Sequence, residues 1–222
     1  MSGVGPVDDR RRALLLQVDA ICDRLTGAHQ AREAGLAASR RVIRASGSAI
    51  RAVHRGDAVD YDSRMADAEA ALREAQRALT PYPSVFHAGF LHDAEKEYAE
   101  ARLCAALVSA AASAQLPGPA EIGVDDAAWL RGLAEAASEL RRHLLDRLRE
   151  GELERGEILL RAMDDVYDAL VVVDFPDALT SGLRRTVDAL RAVLERTRGD
   201  VTTTVIQERL RGRLEAGGGG PA

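Results

Sequence analysis

The sequence predicts an all-α fold, a seven-helix antiparallel bundle built as one domain over residues 1–216, with a disordered glycine-rich tail over 217–222. Three observations carry that expectation. Hydrophobic residues make up 46% of the 222-residue chain while aromatics make up only 4%, so the apolar content is mostly Ala, Leu and Val. That is the composition of helices packed through small and medium side chains. Apolar residues recur at helical spacing along nearly the whole chain, with no sustained strand alternation. Glycine, proline and aspartate punctuate this pattern at intervals that leave short connections, as antiparallel neighbours require.

In chain order, the first helix is expected over residues 8–54. Leu14, Leu15, Val18, Ile21, Cys22 and Leu25 set its apolar period, and Leu36, Val42, Ile43, Ile50 and Val53 continue it. Arg55-Gly56-Asp57 ends it, glycine being the usual residue just past a helix. A second helix, rich in Ala, Glu and Arg, covers 61–79. Pro81-Tyr82-Pro83 breaks the pattern, and Ser84 is placed to cap a third helix running to 114. Leu116-Pro117-Gly118-Pro119 closes it, and Asp125-Asp126 opens a fourth helix reaching 148. Gly151 separates a fifth helix, which carries Ile158, Leu159, Met163, Val166 and Leu170. The β-branched run Val171-Val172-Val173 lacks a partner strand and is assigned to the buried end of that helix. Pro176 precedes a sixth helix ending at Arg198-Gly199, and Asp200 is placed to cap a seventh over 201–214.

Net charge is −5, which excludes a generically basic nucleic-acid coat. Lys96 is the only lysine, and the remaining cations are arginines, whose planar fork suits phosphate and carboxylate. Cys22 and Cys104 show no metal or redox spacing and read as small buried residues in a reducing compartment. No apolar run reaches membrane-spanning length, and the N-terminus lacks a signal-peptide layout, so a cytoplasmic location without membrane contact is expected.

Two helical stretches carry the chemistry. Glu97-Tyr98-Ala99-Glu100 places two carboxylates on one face, and Glu135-Ala136-Ala137-Ser138-Glu139 does the same one turn apart. Two such pairs on adjoining helices would gather up to four carboxylates, whose mutual repulsion requires a cation. All-oxygen sites of this kind suit Mg²⁺ or Mn²⁺. The same spacing also fits a solvated helix face, with Lys96, Arg102, Arg141 and Arg142 at hand as surface partners. Against that stands the alanine-rich setting of both pairs, whose other positions read as buried. A di-iron bundle is disfavoured, because neither Glu97 nor Glu135 is followed three residues later by histidine and His87, His92 and His143 do not restore that pattern. No Gly-x-Ser-x-Gly elbow, P-loop or dinucleotide fingerprint occurs.

The stretch Phe90-Leu91-His92-Asp93-Ala94-Glu95-Lys96-Glu97-Tyr98-Ala99-Glu100-Ala101 resembles the Glu-Tyr-x-Glu-Ala segment of the translin family, in particular the translin-associated factor X branch and its prokaryotic relatives. Trp129-Leu130-Arg131-Gly132-Leu133-Ala134-Glu135 with Ser138-Glu139-Leu140-Arg141 is similar to that family's Tyr-Leu-x-Gly-Val-x-Asp…Gly-Glu-Leu-x-Arg helix. Val166-Tyr167-Asp168 and Thr197-Arg198-Gly199 match two further segments in order, so the likeness spans residues 14–214. The resemblance implies a translin-like protomer that assembles into a homo-oligomeric shell, an octamer, and handles single-stranded RNA or DNA. In the factor X branch it implies Mg²⁺-dependent endoribonuclease activity from inward-facing acidic residues. Matched position by position, these are Glu97, Glu100, Glu135 and Glu139, with glutamate at 135 where animal proteins carry aspartate. In the sister branch, nucleic acid is held by basic and histidine residues just before this helix. Phe86-His87 matches part of that pattern, while Gly89 and Leu91 depart from it.

The sequence therefore supports a Mg²⁺- or Mn²⁺-dependent endoribonuclease, with a non-catalytic single-strand-binding oligomer as the competing class. Arg40, Arg44, Arg51 and Arg55 recur at helical spacing and form one basic stripe on the first helix, a candidate phosphate contact beside His87. A solvated face paired with acids explains that stripe slightly better. With so few aromatics to stack on bases, little sequence specificity is expected. Tyr98 points away from Glu97 and Glu100 and reads as a packing residue.

Overall fold

Helix stops written in the sequence set the frame. The computed structural model describes residues 6–109 and 115–217. Helix α1, Pro6–Arg55, ends at Gly56, whose φ of 69° only glycine adopts freely. The Asp57 side chain accepts from the Asp60 amide and caps α2, Ala58–Leu79. The turn α3, Pro83–Phe86, leads to α4, Phe90–Ser109, and the turn α5, Pro119–Ile122, precedes α6, Asp126–Arg149. Asp125 caps α6 by accepting from the Ala127 amide at 2.9 Å. Then follow α7, Leu153–Val171, the turn α8, Asp177–Thr180, and α9, Leu183–Gly217. Among the described residues the fold is all-α.

Helix α6 is the hub, packing on α4, α7 and α9, while α1 packs on α2 and α4. One continuous core runs through Val42, Leu72, Leu79, Leu91, Tyr98, Leu103, Leu140, Leu144, Leu159, Met163, Leu190 and Leu194. Tyr98 is wholly inside it, as its place in the helical period predicts.

The helices differ from expectation at two of the predicted boundaries. Ser84 does not cap the third helix. Pro83 instead starts the single turn α3, and Gly89, at φ 97°, breaks the chain before α4 begins at Phe90. The predicted sixth and seventh helices are one continuous α9. Gly199 does not take a positive φ, and Asp200 pairs with Arg141 at 2.8 Å rather than capping a new helix. The expected extension of the third helix over 110–114 lies outside the described residues, as do 218–222 of the expected tail. Gly217 is the last residue of α9.

Burial also departs from expectation. Leu14, Leu15, Val18, Ile21, Cys22 and Leu25 lie on a helix as predicted but are exposed, Leu25 to 63%. The reason is length. At 1.5 Å per residue α1 extends roughly 75 Å and the antiparallel α2 only about 33 Å. Leu79 at the end of α2 meets α1 at Gly35, and Tyr82 reaches Gly27. Before that point, residues 9–26 of α1 are all exposed among the described residues. Likewise α9 buries Leu183, Val187, Leu190, Leu194 and Val201 but exposes Ile206, Leu210 and Leu214. The run 171–173 forms no strand, yet Val171 and Val172 are exposed rather than buried. Among the described residues no helix is long and apolar enough to cross a membrane.

Candidate metal centre

The site forms where α6 crosses α4 at unusually close range. Gly132 makes this possible: a Cβ there would lie 2.9 Å from the Lys96 carbonyl oxygen, the Glu100 amide and the Ala99 Cβ. Backbone therefore touches backbone, and the carboxylates one turn away on each helix are drawn together. Oxygens of Glu97, Glu100 and Glu135 lie within 4.8 Å of one another. At that separation and an effective dielectric constant of ~20, each ionised pair repels by roughly 3.5 kcal/mol. Were all three ionised, such repulsions would rival the whole stability of a typical domain, so the trio needs a bound proton or positive charge.

That charge comes from Lys96. Its ammonium donates to Glu97 Oε1 at 2.8 Å and to Glu135 Oε2, and lies 4.0 Å from Glu100 Oε2. Its side chain is only 9% exposed. Burial pulls the Lys96 pKa down, but the bonds and charges of Glu135 and Glu97 outweigh it and leave it raised. Glu100 is the buried member at 7% exposure. Burial pushes its carboxyl up to about 8, the charges of Glu135 and Glu97 add to the rise, and Lys96 opposes it.

Glu139 stands apart from the trio. It accepts from His54 Nε2 of α1 at 3.0 Å, and that bond holds its carboxyl below the ordinary range against the effect of burial. The His54 side chain is 4% exposed, so α1 supplies a buried ring beside the acidic helices. Arg141, a candidate surface partner for the second glutamate pair, turns the other way. It donates to Thr197 Oγ1 at 3.0 Å and pairs with Asp200, tying α6 to α9.

The candidate phosphate contacts are spread along α1. Arg40, Arg44, Arg51 and Arg55 are all exposed. Arg55 pairs with Asp60 at 2.8 Å and Arg51 donates to Ser48 Oγ, whereas Arg40 and Arg44 make no ion pair among the described residues. Arg44 lines a groove between α1 and α2 with Arg41, Ser48 and Arg64. His87 is exposed, edge-on to the Phe86 ring, at a cleft near the start of α4. The sequence pattern singles out neither His54 nor the packing role of Gly132. The sole lysine is visible in it, but as a surface partner.

No protein-family model matches the chain. Two structures of AfC3PO match it at 29% identity and cover 86% of it. One, a complex with duplex RNA, is covered over 97% of its length with TM-score 0.75; the other is covered over 98% with TM-score 0.76. The chain is translin-like in fold. The apo-NeC3PO structure shares the fold of this translin-like chain at 19% identity and TM-score 0.74, over 91% of the chain and all of its own. By sequence, an uncharacterized protein of Methanocaldococcus jannaschii is 25% identical over 201 residues, 90% of this chain and 87% of that protein.

One pH dependence follows from Glu100. Its folded carboxyl titrates near 8 and its ordinary value is 4.5, so between these the native state holds a proton that the unfolded chain lacks. The stability this proton confers is complete below 4.5 and declines as pH rises through 8. In chelator, the thermal midpoint of Glu100→Gln should exceed that of the parent by a margin that widens from pH 5 to pH 8, about the range of that titration. A margin flat with pH would contradict this.

Proposed function

We propose that this translin-like chain is a divalent-ion-dependent endoribonuclease acting on single-stranded RNA within a homo-oligomeric shell. The observation that carries the reading is the convergence of Glu97, Glu100 and Glu135 on one point from two separate helices. The donor set fits Mg²⁺ or Mn²⁺: it is all carboxylate, its oxygens lie within 4.8 Å of one another so that small side-chain shifts let them share one ion, and it already surrounds a cation, the Lys96 ammonium. A bound ion would polarise a phosphodiester and lower the pKa of a coordinated water. Glu97 and Glu135, at 28% and 30% exposure, present their outer oxygens to solvent where a strand can approach, while Glu100 anchors the cluster from below. Glu139, kept ionised by His54 one turn along α6 from Glu135, is placed to orient water by accepting its hydrogen bond.

The exposed apolar stripes of α1 and α9 support self-assembly, since each has helical spacing and is uncovered among the described residues. An octamer of the 23.8 kDa chain is the expected particle, measurable by light scattering. Arg40, Arg44, Arg51 and Arg55 supply phosphate contacts. Replacing both Arg44 and Arg51 by alanine should weaken RNA binding and flatten the slope of log affinity against log salt by about 0.7 for each phosphate no longer neutralised. An unchanged slope removes them from the interface.

The test is cleavage of labelled single-stranded RNA in Mg²⁺, in Mn²⁺ and in chelator, with duplex RNA alongside because AfC3PO was solved with a duplex. Cleavage that needs the ion supports the enzyme. RNA bound but intact in both ions establishes the second reading, a non-catalytic RNA-binding oligomer. That reading is favoured by one observation: Lys96 already compensates the acidic trio.

A further inference from the structure

The Lys96 ammonium occupies the point toward which the three carboxylates are aimed. It donates to Glu97 Oε1 at 2.8 Å and to Glu135 Oε2, and is 4.0 Å from Glu100 Oε2. An ion held at about 2.1 Å from these same oxygens would lie against the ammonium, which a second positive charge so close does not permit. Lysine is suited to yield. Its charge is a compact point on a flexible four-carbon stem, whereas the other permanently cationic side chains here are arginines with a rigid fork. Resting on the metal-site reading above, we propose that Lys96 is a tethered counter-ion that holds the acidic trio together in the metal-free protein and is expelled from it when a divalent ion enters.

Two consequences follow. The binding-competent arrangement, with the ammonium swung out, is only a fraction of the metal-free population, and apparent ion affinity is reduced by that fraction. Lys96 thus sets how much free ion is needed to load the site. It also makes the folded protein independent of the ion, since the trio is never left without positive charge.

Because Lys96 is the only lysine, its reactivity can be followed in the unaltered protein. Acylation of Lys96 by an amine-reactive ester, read by peptide mass to separate it from the N-terminal amine, should be slow in chelator. Saturating Mn²⁺ should accelerate it about tenfold or more as the buried pairing is broken. A rate unchanged or slowed by Mn²⁺ overturns the expulsion. Calorimetric Mn²⁺ titration of Lys96→Met should show affinity about tenfold or more above the parent. In chelator that variant should melt below the parent and recover on adding Mn²⁺. If the parent binds Mn²⁺ and Lys96→Met binds it no more tightly, the counter-ion role fails while the metal site stands. If neither binds Mn²⁺, the metal site itself fails and the proposal with it. Should Lys96→Met not fold, the acylation measurement on the parent decides alone.

Discussion

Gly132→Ala should destabilise the protein and weaken divalent-ion binding together. The added Cβ would meet the Lys96 carbonyl oxygen, the Glu100 amide and the Ala99 Cβ, each at 2.9 Å. Two of those atoms are backbone and cannot rotate aside, so α4 and α6 must move apart. Overpacking of this kind costs about 1–3 kcal/mol, while alanine's better helix propensity returns at most about 1 kcal/mol. The net loss should lower the thermal midpoint by a few degrees, at roughly 2–4 °C per kcal/mol for a chain of this size. The more telling effect is on the site. Glu97 and Glu100 ride on α4 and Glu135 on α6, so separation widens the trio and lowers Mn²⁺ affinity. Gly199→Ala is the matched control, since a Cβ built there meets no described atom within 4 Å beyond its own helix backbone and chain neighbours. It should leave ion binding untouched and raise stability slightly. Equal behaviour of the two variants would show that the close crossing does not build the site.

Glu100→Gln should lower RNA cleavage by roughly 10³-fold or more, the scale expected when several kcal/mol of Lewis-acid stabilisation is lost. Binding of RNA should survive, because the strand contacts proposed above lie on α1. The metal-free protein should be at least as stable as the parent. Glu100 already favours its protonated form near neutral pH, its carboxyl being pushed up to about 8, and glutamine is a near-isosteric neutral replacement. This combination separates a site residue from a structural one. A core residue would lose stability along with activity. Unimpaired cleavage by Glu100→Gln would remove the buried carboxylate from the chemistry.

Helix stops that depend on local chemistry were legible in the sequence. Gly56 and Gly151 take positive φ where the pattern ends, and Asp125 caps α6. Gly199 shows the limit of that logic. Glycine ends a helix only where φ turns positive, and here Arg141 of α6 grips Thr197 and Asp200 and keeps α9 continuous across it. Periodicity likewise identified the apolar face of α1 around Leu14 and Leu25 but could not show that α2 is too short to cover it. Within the site, the three-residue spacing of Glu97 and Glu100 was readable at once. Their meeting with Glu135 depends on a helix crossing that Gly132 permits. The bond from His54 to Glu139 joins residues 85 apart, so no local pattern records it. Lys96 was visible as the lone lysine, yet only the crossing of α4 and α6 turns it inward.

The most direct test is anomalous scattering from crystals soaked in Mn²⁺. A peak within coordination distance of Glu97, Glu100 and Glu135, with the Lys96 ammonium displaced from its present partners, is the predicted result. Mn²⁺ found only elsewhere on the protein, with Lys96 still bonded to Glu97 and Glu135, would contradict the account.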